Sequence, residues 1–201
     1  MVIVKPPRQA EAPKSQRTRR KIVRAAAAAY RERGIDGVGV RDIMMRAGLT
    51  QGGFYFHFAD KAALFREASV EGFEGSVEWL LDHPGTSPSE RQLEAFIDAY
   101  LSARHRDHPE SGCMMAALAG DIARSDRKLR KEFTAGALAM LDRIAPHLAG
   151  ENPVERRQKA GLMLASMAGV LMVSRVLADR AMSDMLLAKA REFYRANFCQ
   201  A

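Results

Sequence analysis

Few side chains in this 201-residue chain have the types and spacing that catalysis or metal binding requires. His105, His108 and Cys113 are close in sequence, but their spacing matches no strong zinc pattern and a fourth ligand is missing. Neither a G-x-S-x-G nor an H-E-x-x-H motif occurs, and the glycines from Gly34 to Gly39 follow a helix, not a strand. We therefore expect no enzyme activity, no metal and no cofactor, and a buried structural Cys113 rather than a thiol sensor.

The most informative pattern begins at Val40 and is that of a helix followed by a tight turn. Val40, Ile43, Met44 and Ala47 have the i, i+3, i+4, i+7 spacing of one apolar helical face. Gly48 follows at the position where helices often end on a left-handed residue, a conformation that glycine adopts without steric cost. The pattern predicts a helix over Val40 to Ala47.

A second short helix is predicted over Gln51 to Phe58. Thr50 is placed to cap it through its hydroxyl group. Phe54 and Phe58 are four residues apart and are expected to point inward, which leaves residues 51–53 and 55–57 mostly on the other faces. A short helix held in this way fits the major groove of DNA, where its N-terminal residues reach base edges.

Two features of this segment have both a DNA-binding and a plain structural interpretation. Gly52 and Gly53 each cost about 1 kcal/mol relative to alanine in a helix interior. Close approach to DNA would explain them, or the flanking phenylalanines hold the helix firmly enough to tolerate them. Asp60 is predicted to cap the next helix, and Lys61 lies in its first turn, where the helix dipole disfavours a cation. A phosphate contact would compensate; an ordinary solvated lysine is the alternative.

The segment from about Arg17 to Leu64 resembles the DNA-binding domain of the TetR family of bacterial transcriptional repressors. The resemblance covers about a quarter of the chain and rests on Thr18 to Ala26, Gly34, Val40-Arg41-Asp42-Ile43, Ala47-Gly48-Leu49-Thr50, Gly52, Phe54-Tyr55, His57-Phe58, Lys61 and Leu64.

The resemblance implies phosphate contacts by Tyr55, His57 and Lys61, and it places Gln51, Gly53 and Phe56 nearest the bases. Phe56 departs from the polar residue often seen there, and would either touch a thymine methyl group or pack internally. The full set of residues predicted to contact DNA is Arg17, Arg41, Thr50, Gln51, Gly52, Gly53, Tyr55, Phe56, His57 and Lys61.

Positive charge is concentrated in the part of the chain that carries this motif. Residues 1–50 contain 12 Lys/Arg and 4 Asp/Glu, a balance of +8, whereas residues 51–201 contain 19 and 20, a balance of −1. This distribution favours a nucleic-acid partner and no membrane partner. The first helix is predicted from about Lys14 to Arg33. It is expected to attract phosphate through some of its basic residues, among them Arg17, Arg19, Arg20, Lys21, Arg24 and Arg31.

Nearly every remaining segment has a helical pattern, so we predict an all-α fold of about nine helices. Residues 1–14 are predicted to be a flexible arm, 15–60 a three-helix DNA-binding domain, and 61–201 a larger effector-binding and dimerisation domain. Two cysteines without a C-x-x-C pair fit a cytoplasmic protein. Breaks rich in proline and glycine separate the helices predicted over Lys61 to Leu81, Ser89 to Arg106, Cys113 to Arg124, Arg127 to Leu148, Val154 to Asp179 and Ser183 to Phe198.

The helix predicted from Val154 contains fifteen consecutive uncharged residues, Ala160 to Ser174. That run is too short to span a membrane, and a helix that is apolar on all sides must be buried on all sides. A second copy of the chain is the natural cover, in an isologous four-helix interface with the last helix; the resemblance implies the same mode. The alternative is the core helix of a monomer. The predicted interface residues are Ala165, Gly169, Val173, Leu186 and Phe193.

Eight of the eleven methionines lie beyond residue 100 and are candidates for lining an adaptable cavity, because methionine fills irregular gaps. TetR-like proteins usually bind a small effector in the larger domain, although such residues also make an ordinary core. The predicted ligand-binding residues are Phe73, Trp79, Phe96, Tyr100, Met114, Met115, Met140, Met163 and Met167. The possible polar anchors for an effector are Arg104, His105, Asp121, His147 and Arg175.

These patterns predict a homodimeric, sequence-specific transcriptional regulator, a repressor that a small apolar effector releases from an inverted-repeat operator. Two alternatives stay open: a ligand-binding helical module with weak or non-specific DNA binding, and a transcriptional activator on the same scaffold.

Overall fold

The computed structural model describes residues 13–81 and 92–199, and for residues 77–81 it describes the backbone alone. Every regular element in these ranges is helical, which confirms the predicted all-α fold. The α-helices are α1 (Lys14–Arg33), α2 (Val40–Arg46), α3 (Lys61–Leu81), α4 (Gln92–Tyr100), α5 (Ala103–Asp107), α6 (Met114–Ala123), α7 (Arg127–Ile144), α8 (Pro153–Val176) and α9 (Arg180–Phe198). Three 3₁₀ helices connect them, at Gln51–Phe56, Pro109–Ser111 and Ala145–His147.

Parts of two predictions lie outside these described residues. Most of the predicted N-terminal arm is among them, and so is the break predicted around His83 to Pro88. The division into an arm and two domains at residues 14 and 60 stays a prediction.

The helix-turn-helix follows the local pattern closely. In α1 the buried stripe includes Ile22, Ala26 and Ala29, as predicted, whereas Ala25 is only partly buried. At the end of α2, Gly48 has φ +66° and its N–H donates to the carbonyl of Met45 at 2.9 Å. The N–H of Leu49 donates to the carbonyl of Met44 at 2.8 Å. This pair of bonds is a Schellman motif, which satisfies the last carbonyls of the helix.

Two helix predictions were wrong, one in the number of helices and one in the type of helix. The segment predicted as one helix from Ser89 to Arg106 contains α4 and α5, because the Ser102 hydroxyl starts a new helix by accepting the N–H of His105 at 3.0 Å. The second helix of the DNA-binding motif is a 3₁₀ helix that ends at Phe56. Elsewhere the differences are shifts of a few residues at helix ends, such as the start of α9 at Arg180, where the Asp179 carboxylate accepts two backbone N–H groups.

One face of α8 forms the centre of the larger domain. Met163, Met167 and Leu171 are fully buried on that face, which packs against α6, α7 and α9. By length and composition, the 24-residue helix is long and apolar enough to cross a membrane. The prediction that it is too short considered only its run of fifteen uncharged residues. Its buried face is that of a core helix within its own domain, and its opposite face is apolar and exposed.

Direct hydrogen bonds join the DNA-binding segment to the larger domain. The guanidinium of Arg31 in α1 donates to the carbonyl of Glu110 at 2.8 Å and to that of Gly72 in α3 at 3.3 Å. Asp121 in α6 accepts the backbone N–H of Ile35 at 3.1 Å, and the Ile35 carbonyl accepts from the Lys61 ammonium at 2.7 Å. The N–H and the carbonyl of Ile35 are therefore both fixed by side chains from the larger domain.

His105 lies in the core at the junction between α5 and α6. Its Nδ1 is 2.7 Å from the carbonyl of Tyr100, and its Nε2 accepts the backbone N–H of Cys113 at 2.9 Å. Because a carbonyl can only accept, Nδ1 carries the proton and the ring is neutral. Burial lowers the pKa of His105 to about 4.

Candidate nucleic-acid interface

Two buried phenylalanines hold the 3₁₀ helix Gln51–Phe56, termed the recognition helix below. The rings of Phe54 and Phe58 stack with centroids 5.7 Å apart, and both side chains are buried, as predicted. The predicted cap by the Thr50 side chain was wrong. In this 3₁₀ helix the Thr50 carbonyl accepts the hydrogen bond from the Gly53 N–H at 3.2 Å. The Thr50 hydroxyl therefore has no backbone N–H left to accept as a cap.

Arg19 fixes the C-terminal end of the recognition helix. Its guanidinium lies 4.2 Å from the centroid of the Phe58 ring, donates to the carbonyl of His57, and forms an ion pair with Glu67 of α3. One side chain thus links α1, the recognition helix and α3. The sequence pattern groups Arg19 with the phosphate-attracting residues, because its partner Glu67 is 48 residues away and leaves no local signal.

The outer face of the recognition helix is open and apolar. The side chains of Tyr55 and Phe56 are 75% and 89% exposed, so Phe56 does not pack internally. A Cβ built on Gly52 meets no atom within 4 Å, and one on Gly53 meets only the Met44 methyl at an ordinary 3.6 Å. Neither glycine has a positive φ. Packing and backbone conformation therefore leave both glycines unexplained, which favours close approach to DNA.

The other residues predicted to contact DNA differ in how they are held. Thr50, Gln51, Arg41 and Arg17 are exposed, whereas His57 is half-buried. Lys61 is also half-buried, and its ammonium donates to Ile35, which leaves two of its three N–H groups for a phosphate. Phosphate contact by these side chains stays a prediction.

Three of the basic residues of α1, Arg19, Arg24 and Arg31, form ion pairs or hydrogen bonds within the protein. Arg24 forms an ion pair with Glu71 of α3, in parallel with the pair between Arg19 and Glu67. Arg31 donates to the two carbonyls described above. Arg17, Arg20 and Lys21 are exposed on the same helix and are the better candidates for attracting phosphate.

A groove between α3 and α7 contains two of the predicted ligand-binding residues. It encloses about 630 Å³ and is lined by Val70, Phe73, Glu74, Ala135, Gly136, Ala139, Met140, Asp142 and Arg143. Phe73 and Met140 were predicted. Of the others, Phe96, Tyr100, Met114, Met163 and Met167 are buried in the core and Met115 is half-buried. The side chain of Trp79 lies outside the described residues.

Three of the possible polar anchors form internal hydrogen bonds. His105 bonds as described above, Arg175 donates to the carbonyls of Arg106 and His105 at 3.1 and 2.8 Å, and Asp121 accepts from Ile35. Within the described residues, no three His, Cys, Asp or Glu side chains are placed to bind a metal. Cys113 is fully buried, and burial raises the pKa of its thiol, which disfavours the reactive thiolate.

The outer faces of α8 and α9 form an exposed apolar patch, called the α8–α9 face below. Val173 and Phe193 are 52% and 59% exposed, and Ala165 is exposed with them. Leu186 is half-buried, and a Cβ on Gly169 meets no atom within 4 Å. All five predicted interface residues are on these two helices, and Leu162, Met172, Val176, Met182 and Met185 add further exposed apolar area.

Comparisons with known proteins agree with this geometry. The sequence model of bacterial regulatory proteins of the tetR family matches residues 22–68. A helix-turn-helix transcriptional regulator of Mycobacterium tuberculosis is 26% identical over 90% of this chain and 96% of its own length. The DNA-binding segment of this chain belongs to the TetR family.

Solved TetR-family structures extend the likeness in fold over almost the whole chain. A TetR regulator from Chloroflexus aurantiacus superposes with a TM-score of 0.72 at 23% identity, over 92% of this chain and 98% of that one. One from Cytophaga hutchinsonii has a TM-score of 0.73 at 20% identity, over 95% and 100%. The repressor KstR2 of Mycolicibacterium smegmatis is 30% identical over 44% of each chain.

This chain is a DNA-binding transcriptional regulator of the TetR type. Its relatives are regulators rather than enzymes, and TetR-family regulators typically form dimers and bind small effectors. The outer face of the recognition helix is therefore the candidate DNA-binding surface. Which of its side chains touch DNA is a separate question that variants can answer.

Replacing Gly52 by alanine should stabilise the protein and weaken DNA binding. The added methyl group has open space in the protein, and losing glycine's conformational freedom should raise the free energy of unfolding by about 0.4–1 kcal/mol. The same methyl group would lie where the DNA approaches. Gly75→Ala is a matched control, because Gly75 on α3 also has no neighbour within 4 Å. Chemical unfolding and duplex titration test this; a Gly52→Ala variant with unchanged affinity would exclude close approach.

Proposed function

We propose that this chain is a homodimeric, sequence-specific transcriptional repressor that a small apolar effector releases from an inverted-repeat operator in the cytoplasm. The observation that carries the proposal is the outer face of the recognition helix, where Gln51, Tyr55 and Phe56 are exposed beside two glycines. The name of the relative KstR2 describes a repressor, which supports repression over activation.

Dimerisation follows from the α8–α9 face. A contiguous apolar patch on a soluble protein marks an interaction surface, and this one is built from two long helices that pack on each other. Two copies related by a twofold axis would bury the patch in a four-helix interface. Such a dimer presents two recognition helices, and an operator with twofold symmetry matches that arrangement.

The groove between α3 and α7 is the proposed effector site. Its volume of about 630 Å³ suits a small ligand. Val70, Phe73, Ala139 and Met140 give it an apolar lining, while Glu74, Asp142 and Arg143 provide polar groups at which a ligand would be oriented. The two predicted residues in this lining, Phe73 and Met140, are the first ones to test by substitution.

Helix α3 connects this site to the DNA-binding surface. Lys61 is its first residue and Phe73 lies 12 residues later, about 18 Å along the axis. The carbonyl of Gly72, next to Phe73, accepts from Arg31 of α1. A ligand that prefers a different position of Phe73 would therefore act on contacts that orient the DNA-binding segment. Such a ligand shifts the protein toward a state with weaker operator affinity.

Replacing Tyr55 or Lys61 by alanine should weaken binding to every duplex, by about tenfold, because both side chains are assigned to phosphates, which carry no sequence information. The Lys61→Ala variant should also reduce the salt dependence by about one phosphate per half-site. Lys159→Ala, an exposed lysine on α8, is the control. Fluorescence anisotropy at several salt concentrations provides both quantities, and unchanged affinity in both variants would remove these residues from the interface.

A further inference from the structure

Phe56 has an unusual position for an apolar side chain. At 89% exposed, it is the most exposed of the large apolar side chains in the described residues. Leaving a phenyl ring in water forgoes the stabilisation that burial provides. Within the part of the chain that the structure describes, its ring stacks on no other aromatic ring, whereas Phe54 contacts both Tyr55 and Phe58. The protein itself gives this ring no packing role.

The geometry of the recognition helix leaves space beside the ring. A 3₁₀ helix has three residues per turn, so Phe56 lies above Gly53. Because Gly53 has no side chain, the surface next to the ring is bare backbone. Phe54, two residues earlier, is buried and anchors the helix from the opposite side. The result is a single phenyl ring that projects from a fixed helix on the DNA-binding surface.

The chemistry of the ring selects its partner. A phenyl group neither donates nor accepts a hydrogen bond, so it cannot read the polar edges of bases and does not bind phosphate. The apolar group that base pairs present in the major groove is the C5-methyl group of thymine. We propose that Phe56 determines operator specificity by packing against this methyl group at one position of each half-site, an inference that rests on the proposed function.

Deoxyuridine provides the direct test, because it pairs as thymine does and lacks only the methyl group. The probe is an operator duplex selected from random DNA, in which each thymine is replaced in turn by deoxyuridine and titrated with the full-length protein. At one thymine per half-site, this replacement should weaken binding, and at the other thymines it should not. Replacing that one thymine should weaken binding about fourfold in one half-site and about fifteenfold in both, as expected for one buried methyl group at each.

The Phe56→Ala variant should bind the thymine and deoxyuridine duplexes equally at that position. It should fold normally, since the side chain is exposed, and an unchanged circular dichroism spectrum and melting temperature check this. Leu138→Ala removes an exposed apolar side chain from α7, 40% exposed, and should keep the wild-type discrimination. With a cytosine at the same position, 5-methylation should improve wild-type binding about fourfold.

A selected operator in which no deoxyuridine replacement changes affinity would overturn the role of Phe56 and leave the proposed function intact. Discrimination that persists in Phe56→Ala would assign the methyl contact to another residue and also overturn it. A protein that selects no sequence at all would contradict both proposals at once.

Discussion

Replacing Gly169 by arginine should convert the proposed dimer into folded monomers and lower its affinity for an inverted-repeat operator by about a hundredfold or more. The loss is this large because a dimer gains the second half-site as an intramolecular contact, and that gain disappears in a monomer. Gly169 lies on the outer face of α8, where a Cβ meets no atom within 4 Å. The protomer therefore accommodates the arginine.

The interface would not accommodate it. The α8–α9 face is apolar, with Val176 at 81% and Phe193 at 59% exposure. Covering this surface with an identical one would bury the introduced guanidinium without an opposite charge, which is strongly unfavourable. In the isolated helix, by contrast, arginine is a better helix former than glycine. The free energy of unfolding of the monomer should therefore not fall because of the substitution itself.

Light scattering coupled to size exclusion gives the mass of the variant, and anisotropy gives its operator affinity. Leu138→Arg is the control, since it replaces an exposed apolar residue on α7 and should leave both quantities unchanged. A Gly169→Arg protein that stays dimeric would place the interface elsewhere. A monomer with undiminished operator affinity would show that dimerisation is not needed for recognition.

Lowering the pH from about 6.5 to about 4 should reduce the free energy of unfolding by about 3 kcal/mol through His105 alone. The buried ring accepts a hydrogen bond at Nε2 from the backbone N–H of Cys113. Protonation of Nε2 would place its N–H directly opposite the backbone N–H of Cys113 in the core, so that the hydrogen bond is lost. Burial is the main cause of the lowered pKa, and the nearby charges of Arg175 and Arg31 lower it further.

The direction of this effect follows from proton uptake. The unfolded chain protonates this imidazole near pH 6.5, whereas the folded chain resists protonation until about pH 4. Between these values unfolding takes up a proton, so acid favours the unfolded state. The contribution of His105 is therefore fully present above about pH 6.5 and is lost as the pH falls to about 4.

Urea unfolding of the wild type and of His105→Gln, at one protein concentration, isolates the histidine. Glutamine offers a donor and an acceptor but does not titrate, so the stability of the variant should fall less steeply with acid. Equal slopes would contradict the prediction. If the variant does not fold, the ring signals of His105 in the native protein decide instead, because titration near pH 6.5 would contradict a lowered pKa.

Local patterns in the sequence were enough to predict much of the helix-turn-helix. The apolar face of α2, the turn at Gly48 and the inward Phe54 and Phe58 each depend on residues a few positions apart. The role of Arg19 was missed because its partner Glu67 is distant in sequence. The 3₁₀ form of the recognition helix was also missed, since the same inward spacing suits an α-helix.

His105 shows a second reason why contacts cannot be predicted from the sequence. Its closeness to Cys113 in sequence suggested metal ligands, and the two residues do meet, but through the ring and a backbone N–H. Backbone groups have no signature in a sequence, so this pairing was not predictable. The methionines beyond residue 100 were predicted to line a cavity, but Met114, Met163 and Met167 are buried in the core. Which predicted residues reach the groove, namely Phe73 and Met140, depends on how α3 packs against α7.

Selection from a random duplex library, with the purified full-length protein at near-physiological salt, decides whether the protein recognises a specific operator. We expect enrichment of an inverted repeat whose half-site centres are separated by about one helical turn, roughly 34–36 Å, or a multiple of it. Binding without sequence preference would contradict a specific operator and leave a general DNA binder. No binding at all would contradict the proposed repressor and direct attention to the groove between α3 and α7.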